Sequence, residues 1–278
     1  MDALIAVGVT DGRAARRARA WAIDRATESH DRLLLFSVVG ESSGIAGEST
    51  IAQRALAAAE LLLQRSAKEA ADRGIAADVQ VLRGKPLAQI IEISRRAQLV
   101  VIGSDRATAD HPHRGPLAVR TCAQAHCPVV VVPDLDLEDA RGIVVGVDGS
   151  EISERAVAFA AREAVRRDEV LTAVMSWSPM PMPMQIGSLP REYLAGAQQL
   201  TEENLAISIA GLRQDFPELR IRTVVEPSHP GQLIRREAAH ARMAVVGSHG
   251  RGALGRFILG SATQVLLERP PTVMVIVR

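Results

Sequence analysis

Aromatic residues are scarce in this chain, at 3% of 278 residues, and neither sign of charge is in clear excess. Single-stranded nucleic acids are bound through stacking on aromatic side chains, and this sequence offers few of them. The 33 basic and 32 acidic residues leave a formal net charge of +1, so no strong field draws the chain onto nucleic acid or anionic lipid. We therefore expect neither as a partner.

Cysteine and long apolar runs are also lacking. The two cysteines, Cys122 and Cys127, can form neither a disulfide framework nor a four-thiolate zinc site, and packing roles are expected for both. No apolar run approaches the ~20 residues that a membrane-spanning helix needs. The apolar N-terminal run stops at residues 10–12 (TDG) and has no basic leader. These absences predict a reduced, cytoplasmic protein with no membrane segment.

What the chain does have is an internal repeat. Residues 97–104 (AQLVVIGS) match residues 241–248 (ARMAVVGS), and residues 129–132 (VVVV) match residues 273–276 (VMVI) at the same offset. Near the two starts, residues 5–9 (IAVGV) resemble residues 143–147 (IVVGV). An acidic connector that begins with proline, residues 133–142, separates the copies. The sequence therefore predicts two domains, 1–137 and 138–278, each near the usual domain size.

Within each copy, short runs of Val, Ile and Leu alternate with amphipathic stretches. Strands this uniformly apolar are buried on both faces, and their alternation with helices favours a parallel sheet covered by helices. The second copy predicts strands at 143–147, 171–177, 220–226, 243–247 and 273–277. It predicts helices at about 153–167 with Ser153 as the cap, and at 193–216, 231–241 and 262–268. The expected fold is two tandem α/β, doubly wound domains.

Glycines cluster where the fourth strand of the second copy ends. Residues 247–255 read GSHGRGALG, and Gly260-Ser261 then opens a helix. Glycine lets backbone N–H groups approach an anion, and the first turn of a helix supplies further N–H donors. The spacing Gly247-x2-Gly250-x9-Gly260-Ser261 is neither a Walker A loop nor a Rossmann fingerprint. A loop with no ligand is the plainer alternative, but the strand–loop–helix context favours a nucleotide site.

This spacing, together with Asp148 after the first strand of the copy, resembles the ATP-binding pattern of the universal stress protein family. The resemblance covers nearly the whole chain, because tandem members of that family carry two such domains. It implies Rossmann-like domains of the HUP type, with parallel sheets of strand order 3-2-1-4-5 that pack as a pseudo-two-fold dimer through their fifth strands. Strands 1 and 4 then flank the switch point, where open α/β sheets bind ligands.

The resemblance also implies how the residues would hold ATP, with magnesium or manganese. Gly146 and Asp148 would line the adenosine part, and Ser176 would offer its main chain to the adenine edge. The remaining site residues would surround the ribose and phosphates: Gly247, Ser248, His249, Gly250, Arg251, Gly252, Ala253, Gly260, Ser261 and Ala262. No protein ligand for the metal is predicted.

The first copy has lost this pattern. At the offset of the repeat, Gly260 and Ser261 become Pro116 and Leu117. In the separate alignment of the two first strands, Asp148 is matched by Thr10. Proline removes an N–H donor and leucine removes the hydroxyl. We expect one nucleotide per chain, bound by the second domain.

Three functions remain open on these residues. The favoured one is a regulatory nucleotide sensor in the stress response, with no efficient catalysis and with unknown protein partners or a homo-oligomer as its readout. The second is a slow ATP hydrolase or adenylyl-transferring enzyme, for which His249 and Arg251 are the candidate groups near the phosphates. The third is a scaffold independent of nucleotide.

Three further features have plainer interpretations. His111 and His113 flank a proline in a polar loop with no acidic or thiolate partner close in sequence, which is weak evidence for a metal. Residues 177–184 (WSPMPMPM) predict an extended loop that either covers the adenine, contacts a partner or is simply exposed. Arg256 and Arg251 either pair with phosphates or form a solvated basic loop.

Overall fold

The chain forms two compact units, Met1–Asp136 and Leu137–Arg278. A computed structural model describes residues 3–40, 48–104, 116–179, 189–250 and 259–278. Residues 251–258 and the histidines at 111 and 113 lie outside these ranges, as does most of the methionine-rich segment. Each unit is an α/β domain whose strands are all parallel. The predicted fold class is confirmed.

Unit 1 alternates strands and helices along its length. Its strands are β1 (Leu4–Gly8), β2 (Arg32–Val39), β3 (Ala77–Arg83), β4 (Leu99–Ser104) and β5 (Val129–Pro133). Its helices are α1 (Arg13–Ser29), α2 (Glu48–Ala71), α3 (Pro86–Ser94) and α4 (Pro116–Gln124). Proline starts α3 and α4, where the missing N–H has no cost within the helix.

Unit 2 repeats this arrangement. Its strands are β6 (Ile143–Gly146), β7 (Leu171–Trp177), β8 (Ile221–Pro227), β9 (Met243–Gly247) and β10 (Val273–Val277). Its helices are α5 (Glu151–Arg166), α6 (Arg191–Ile209), α7 (Leu212–Asp215), α8 (Pro230–Glu237) and α9 (Ser261–Glu268). The helix predicted over 193–216 is divided at Gly211, which forms the N-cap of the short α7.

The order of the strands places a topological switch point at the centre of each unit. In unit 1, β1 pairs with both β2 and β4, β3 lies beyond β2, and β5 lies beyond β4. In unit 2, β6 pairs with both β7 and β9, β8 lies beyond β7, and β10 lies beyond β9. The connections leave the two central strands in opposite directions, which opens a crevice at their carboxyl ends.

Apolar burial distinguishes the strands that carry the crevice of unit 2. Strands β6 and β9 are buried along nearly their whole length, and the outer strand β8 is partly exposed. A parallel strand covered by helices on both sides buries every side chain, and this explains the uniformly apolar sequence of β6 and β9.

The start of α5 differs from the prediction. Ser150 is the N-cap, with extended backbone, and its hydroxyl oxygen accepts the N–H of Ser153 at 3.2 Å. Ser153 lies inside the first turn and is buried, so the prediction of Ser153 as the cap was wrong. The left-handed Gly149, at φ 74°, turns the chain from β6 into the helix, and the cap lies three residues before the predicted one.

Both cysteines are buried thiols that form no disulfide with each other. Burial raises the pKa of the Cys127 thiol from 9.0 to about 12. At pH 8 we therefore expect native protein to react very slowly with a disulfide reagent and urea-unfolded protein to react rapidly at two thiols per chain. The unfolded thiol loses its proton first as the pH rises. Stabilisation from this group is thus fully present below pH 9 and declines between 9 and about 12. Rapid reaction of two thiols in native protein at pH 8 would contradict both expectations.

Among the residues that the structure describes, no helix is long and apolar enough to cross a membrane.

Candidate functional site

A cavity of about 450 Å³ lies within unit 2, at the carboxyl ends of its central strands. It opens at the crevice between β6 and β9, where Gly146 and Gly247 end the two strands. Its walls come from β6, β7, β9 and the first turns of α5, α8 and α9. The lining residues are Gly146, Val147, Asp148, Ser153, Val174, Ser176, Pro230, Ile234, Val246, Gly247, His249, Gly250, Leu259, Gly260, Ser261, Ala262 and Thr263.

The acidic residue of the cavity is held by the cap of α5. Oδ1 of Asp148 accepts the Ser150 N–H at 2.9 Å and the Ser150 hydroxyl at 2.6 Å. The same Ser150 oxygen accepts from the Ser153 N–H, so one serine fixes both the helix start and the carboxylate. Such local bonds between side chain and backbone are typical of Asp and Ser at turns. The carboxylate is therefore positioned before any ligand arrives.

Gly250 lies directly against that carboxylate. A Cβ added at Gly250 would overlap Oδ2 of Asp148, so only glycine fits here without a shift. The motif after β9 thus contacts the motif after β6 across the crevice. The sequence predicted that Asp148 and Gly250 would face the same crevice, and the structure places them in contact.

The N-terminus of α9 forms the opposite wall. Gly260 is its N-cap and donates its N–H to the Ser248 carbonyl at 2.9 Å. A Cβ on Gly260 would lie 3.3 Å from Cα of His249, so a larger residue would press on the glycine loop. The first N–H groups of a helix have no intrahelical partner, and Ser261, Ala262 and Thr263 all line the cavity. This wall presents hydrogen-bond donors and the positive end of the helix dipole.

The end of β7 turns main-chain groups toward the cavity. The Val174 carbonyl accepts the Val147 N–H at 2.8 Å, and the Trp177 carbonyl accepts the Ser228 N–H at 3.1 Å. Successive residues of a parallel strand point their backbone groups to alternate sides. Ser176 therefore directs its N–H and C=O toward the side of β6, beyond the end of that strand, and these groups face the cavity that Ser176 lines.

The inner wall is apolar and was missed by the sequence interpretation. It consists of Val174, Pro230, Ile234, Val246 and Leu259. A Cβ on Gly146 would lie 2.6 Å from Cδ1 of Ile234, so the side chain of α8 packs directly over the end of β6. Val174 and Val246 lie within strands, Pro230 and Ile234 lie in α8, and no motif in the sequence distinguishes them from core residues. An apolar slot, formed by the five residues of this wall, thus adjoins a wall of donors.

A model of the universal stress protein family matches residues 4–133 and again residues 140–278. The chain belongs to this family. Universal stress protein Rv2005c of Mycobacterium tuberculosis is 33% identical over 219 residues, which are 76% of this chain and 73% of that protein. Universal stress protein Rv2623 of the same species is 29% identical over 205 residues, 72% of this chain and 67% of that protein.

Solved structures of the family agree with the tandem fold. A universal stress protein from Archaeoglobus fulgidus superimposes with a TM-score of 0.71 at 17% identity, covering 99% of this chain and 96% of that one. A second one, from Pseudomonas aeruginosa, gives 0.62 at 19% identity, covering 99% and 92%. At these identities the likeness concerns the fold.

The structure gathers most of the predicted site residues of this universal stress protein around one cavity. Ser248 is the exception among those described, because it is buried behind the cavity with its hydroxyl 3.0 Å from Nδ1 of His249. Arg251, Gly252 and Ala253 lie outside the described residues. The residues that line the cavity as predicted are Gly146, Asp148, Ser176, Gly247, His249, Gly250, Gly260, Ser261 and Ala262.

In unit 1, an aromatic ring lies at the strand position that corresponds to Val174 of the cavity. Gly8 pairs with Phe36 in the register of β1 and β2, as Gly146 pairs with Val174 in that of β6 and β7. The Phe36 ring is 1% exposed, with its Cζ 3.6 Å from the place of a Cβ on Gly8. The position that is a small valine in the cavity of unit 2 is thus a buried phenylalanine in unit 1. Unit 1 thus differs from unit 2 in the bulk of this side chain as well as in the hydrogen-bond donors that it has lost.

Substituting Ser150 is expected to act on both stability and the site. Ser150→Ala removes the N-cap acceptor and the hydroxyl that holds Asp148, so unit 2 should lose about 1 kcal/mol of unfolding free energy. Each unit contains one tryptophan, Trp21 or Trp177. A Trp21→Phe background therefore lets urea unfolding of unit 2 be followed by fluorescence. Ser150→Thr keeps a capping hydroxyl and is the control. Equal urea midpoints for the Ala and Thr variants would contradict this account.

Proposed function

We propose that unit 2 binds one ATP per chain as a regulatory ligand, and that unit 1 binds none. The observation that carries this proposal is the pairing, in one cavity, of an apolar slot with the donor wall at the start of α9. An adenine ring suits the slot and phosphates suit the donors. Membership of the family supports the same assignment, because the glycine spacing is its ATP-binding pattern.

The adenine would lie between Val174 and Ile234. Its amino group is a donor and its N1 an acceptor, which matches the C=O and N–H that Ser176 directs into the cavity. Asp148 is held beside Gly250, where its carboxylate can accept from the hydroxyls of a ribose that follows the base. The residues present therefore fit a nucleoside.

The phosphates would lie against Gly260, Ser261 and Ala262. Backbone N–H groups there stabilise negative charge without a bulky side chain, and the Ser261 hydroxyl adds a donor. Among the described residues no group of three or more His, Cys, Asp and Glu side chains could hold a metal. Magnesium or manganese would accordingly arrive with the nucleotide, held by phosphate oxygens and water, and would neutralise phosphate charge.

The arrangement favours binding over catalysis. Phosphoryl transfer needs a positioned nucleophile as well as charge neutralisation. The Nδ1 of His249 lies beside the Ser248 hydroxyl, so the imidazole has an orienting partner. Ser248 is buried away from the cavity, however, and is therefore not placed to act as a nucleophile there. We therefore propose a nucleotide sensor in the stress response whose bound state is read by other proteins. Steady ATP turnover that His249→Ala abolishes, with binding retained, would support an enzyme instead.

The test is to denature purified protein, identify any released nucleotide by mass spectrometry, and titrate the stripped protein with Mg-ATP by calorimetry. The control is Gly260→Pro combined with Ser261→Leu, which copies unit 1. About one ATP per chain, lost in this control, is expected. Two ATP per chain would refute the proposal that unit 1 binds none. If no nucleotide were released and no heat of binding were measured, the cavity would have only a structural role, and the scaffold would be favoured.

A further inference from the structure

Two surface helices carry apolar side chains on the face turned away from their sheet. Helix α2 packs on β2 and β3, and helix α6 packs on β7 and β8. On the outer faces, Ile51 and Leu61 of α2 are 67% and 49% exposed, and Leu200 and Ile207 of α6 are 59% and 74% exposed. Large aliphatic side chains grouped on one outer face favour an interaction surface over scattered exposure.

Positions on each outer face repeat at intervals of seven, and Ile51 and Leu61 belong to two different series of α2. In α6, Tyr193, Leu200 and Ile207 follow one another at this interval, with Gly196 and Glu203 between them. In α2, the two interleaved series are Ile51, Ala58, Arg65 and Arg54, Leu61, Lys68. Seven residues are nearly two helical turns, so each set forms a straight stripe like the contact face of a coiled coil. We call residues 51, 54, 58, 61, 65 and 68 the α2 seam, and residues 193, 196, 200, 203 and 207 the α6 seam.

The two seams carry opposite charge. The α2 seam contains Arg54, Arg65 and Lys68, all exposed, and no acidic residue. The α6 seam contains the exposed Glu203, and Glu192 is exposed beside Tyr193 at its start. Pairing a seam with its own kind would place like charges together across an apolar contact, which is destabilising. The α2 seam therefore complements the α6 seam in charge as well as in apolar character.

We propose that the α2 seam of one copy of this protein packs against the α6 seam of a second copy. Ile51, Leu61, Leu200 and Ile207 supply the apolar contact, and the basic residues of the α2 seam flank Glu203 and Glu192. The contact joins different faces, so it is heterologous. It extends beyond a dimer unless the two seams of one copy engage both seams of the other. This surface is separate from the nucleotide cavity, whose lining includes neither helix.

The expected association is reversible and sensitive to salt. Pairs between exposed charges contribute little each and are screened by ions, so most of the favourable free energy comes from the apolar side chains. Charge then decides which face pairs with which. Association should increase with protein concentration and weaken as salt is added.

The test uses sedimentation velocity of the full chain over a range of concentrations. Glu203→Arg places a positive charge in the α6 seam and should weaken association by about tenfold or more. The matched control is Glu202→Arg, a neighbouring glutamate that is exposed but outside the seam, and it should associate like the original protein. Arg65→Glu in the α2 seam should weaken association to a similar extent.

The decisive result is recovery. A chain with both Glu203→Arg and Arg65→Glu, or a mixture of the two single variants, should regain association because the two exchanged positions again carry opposite charges. Circular dichroism and Mg-ATP titration of each variant check that unit folding and the cavity are unchanged. A chain that sediments as a monomer throughout, equal effects of the two glutamate variants, or no recovery would each overturn the proposal.

Discussion

Val174→Phe is expected to abolish ATP binding by unit 2 while leaving the fold intact. Val174 lines the cavity from the middle of β7 and pairs with Gly146, the last residue of β6. Unit 1 shows that a phenylalanine fits at this place in the sheet, because Phe36 is buried opposite Gly8 with no cis peptide or left-handed backbone nearby. The ring would occupy the apolar slot in which we place the adenine. The affinity for ATP should fall by about a hundredfold or more, because the adenine would have to displace the phenylalanine ring.

Calorimetric titration with Mg-ATP measures this loss, and thermal unfolding reports the fold. Val174→Ala is the matched control, because it changes the same residue but enlarges the slot, and its affinity should fall by less than about tenfold. If the Phe variant bound ATP as tightly as the Ala variant, the base would not lie beside β7. A Phe variant that failed to fold would be visible in the melt and would disprove the equivalence with Phe36.

Gly250→Ala is expected to have the second large effect. Its φ is not in the left-handed region, so the backbone accepts alanine, but the new methyl group meets the Asp148 carboxylate. To relieve this overlap, the Asp148 carboxylate must break its hydrogen bonds with Ser150, or the glycine loop must move away from β6. Either shift would disturb the proposed contact with the ribose and the proposed position of the phosphates. ATP affinity should drop by about tenfold or more, with a smaller effect on stability.

The control for this substitution is Gly211→Ala. Gly211 also has an ordinary φ, and nothing lies within 4 Å of a Cβ added there. Alanine at that position should leave ATP affinity unchanged and slightly raise the melting temperature, because the unfolded chain loses freedom. Equal affinities of the two alanine variants, measured in one titration series, would show that the contact between Asp148 and Gly250 does not matter for binding.

The sequence predicted the repeat, the parallel strands and the position of the cavity with good accuracy. The reason is that buried parallel strands such as β9 are uniform apolar runs with sharp ends, and the predicted strand at 243–247 has exactly the observed bounds. Glycine positions were informative for a similar reason. Gly250 and Gly260 each lie where a side chain would meet another part of the chain, so their spacing reflects contacts that the fold imposes.

The start of α5 and the apolar wall were harder to predict. Ser150 and Ser153 are three residues apart, and either can begin the helix by local preference. The contact of Ser150 with Asp148 decides between them, and that contact depends on the turn at Gly149. Ile234 reaches the cavity only because α8 packs over the end of β6. This tertiary contact leaves no pattern in the local sequence. Phe36 looked like one more apolar strand residue until the register placed it opposite Gly8.

The bond from the Gly260 N–H to the Ser248 carbonyl has a consequence for protein engineering. It joins the two residues on either side of an eleven-residue stretch, 249–259. Each doubling in the length of such a closed stretch costs only about 0.6 kcal/mol of closure entropy. We therefore expect the fold of unit 2 to tolerate a fluorescent domain inserted between Gly250 and Leu259, and we expect its emission to respond to occupancy of the cavity that both residues line.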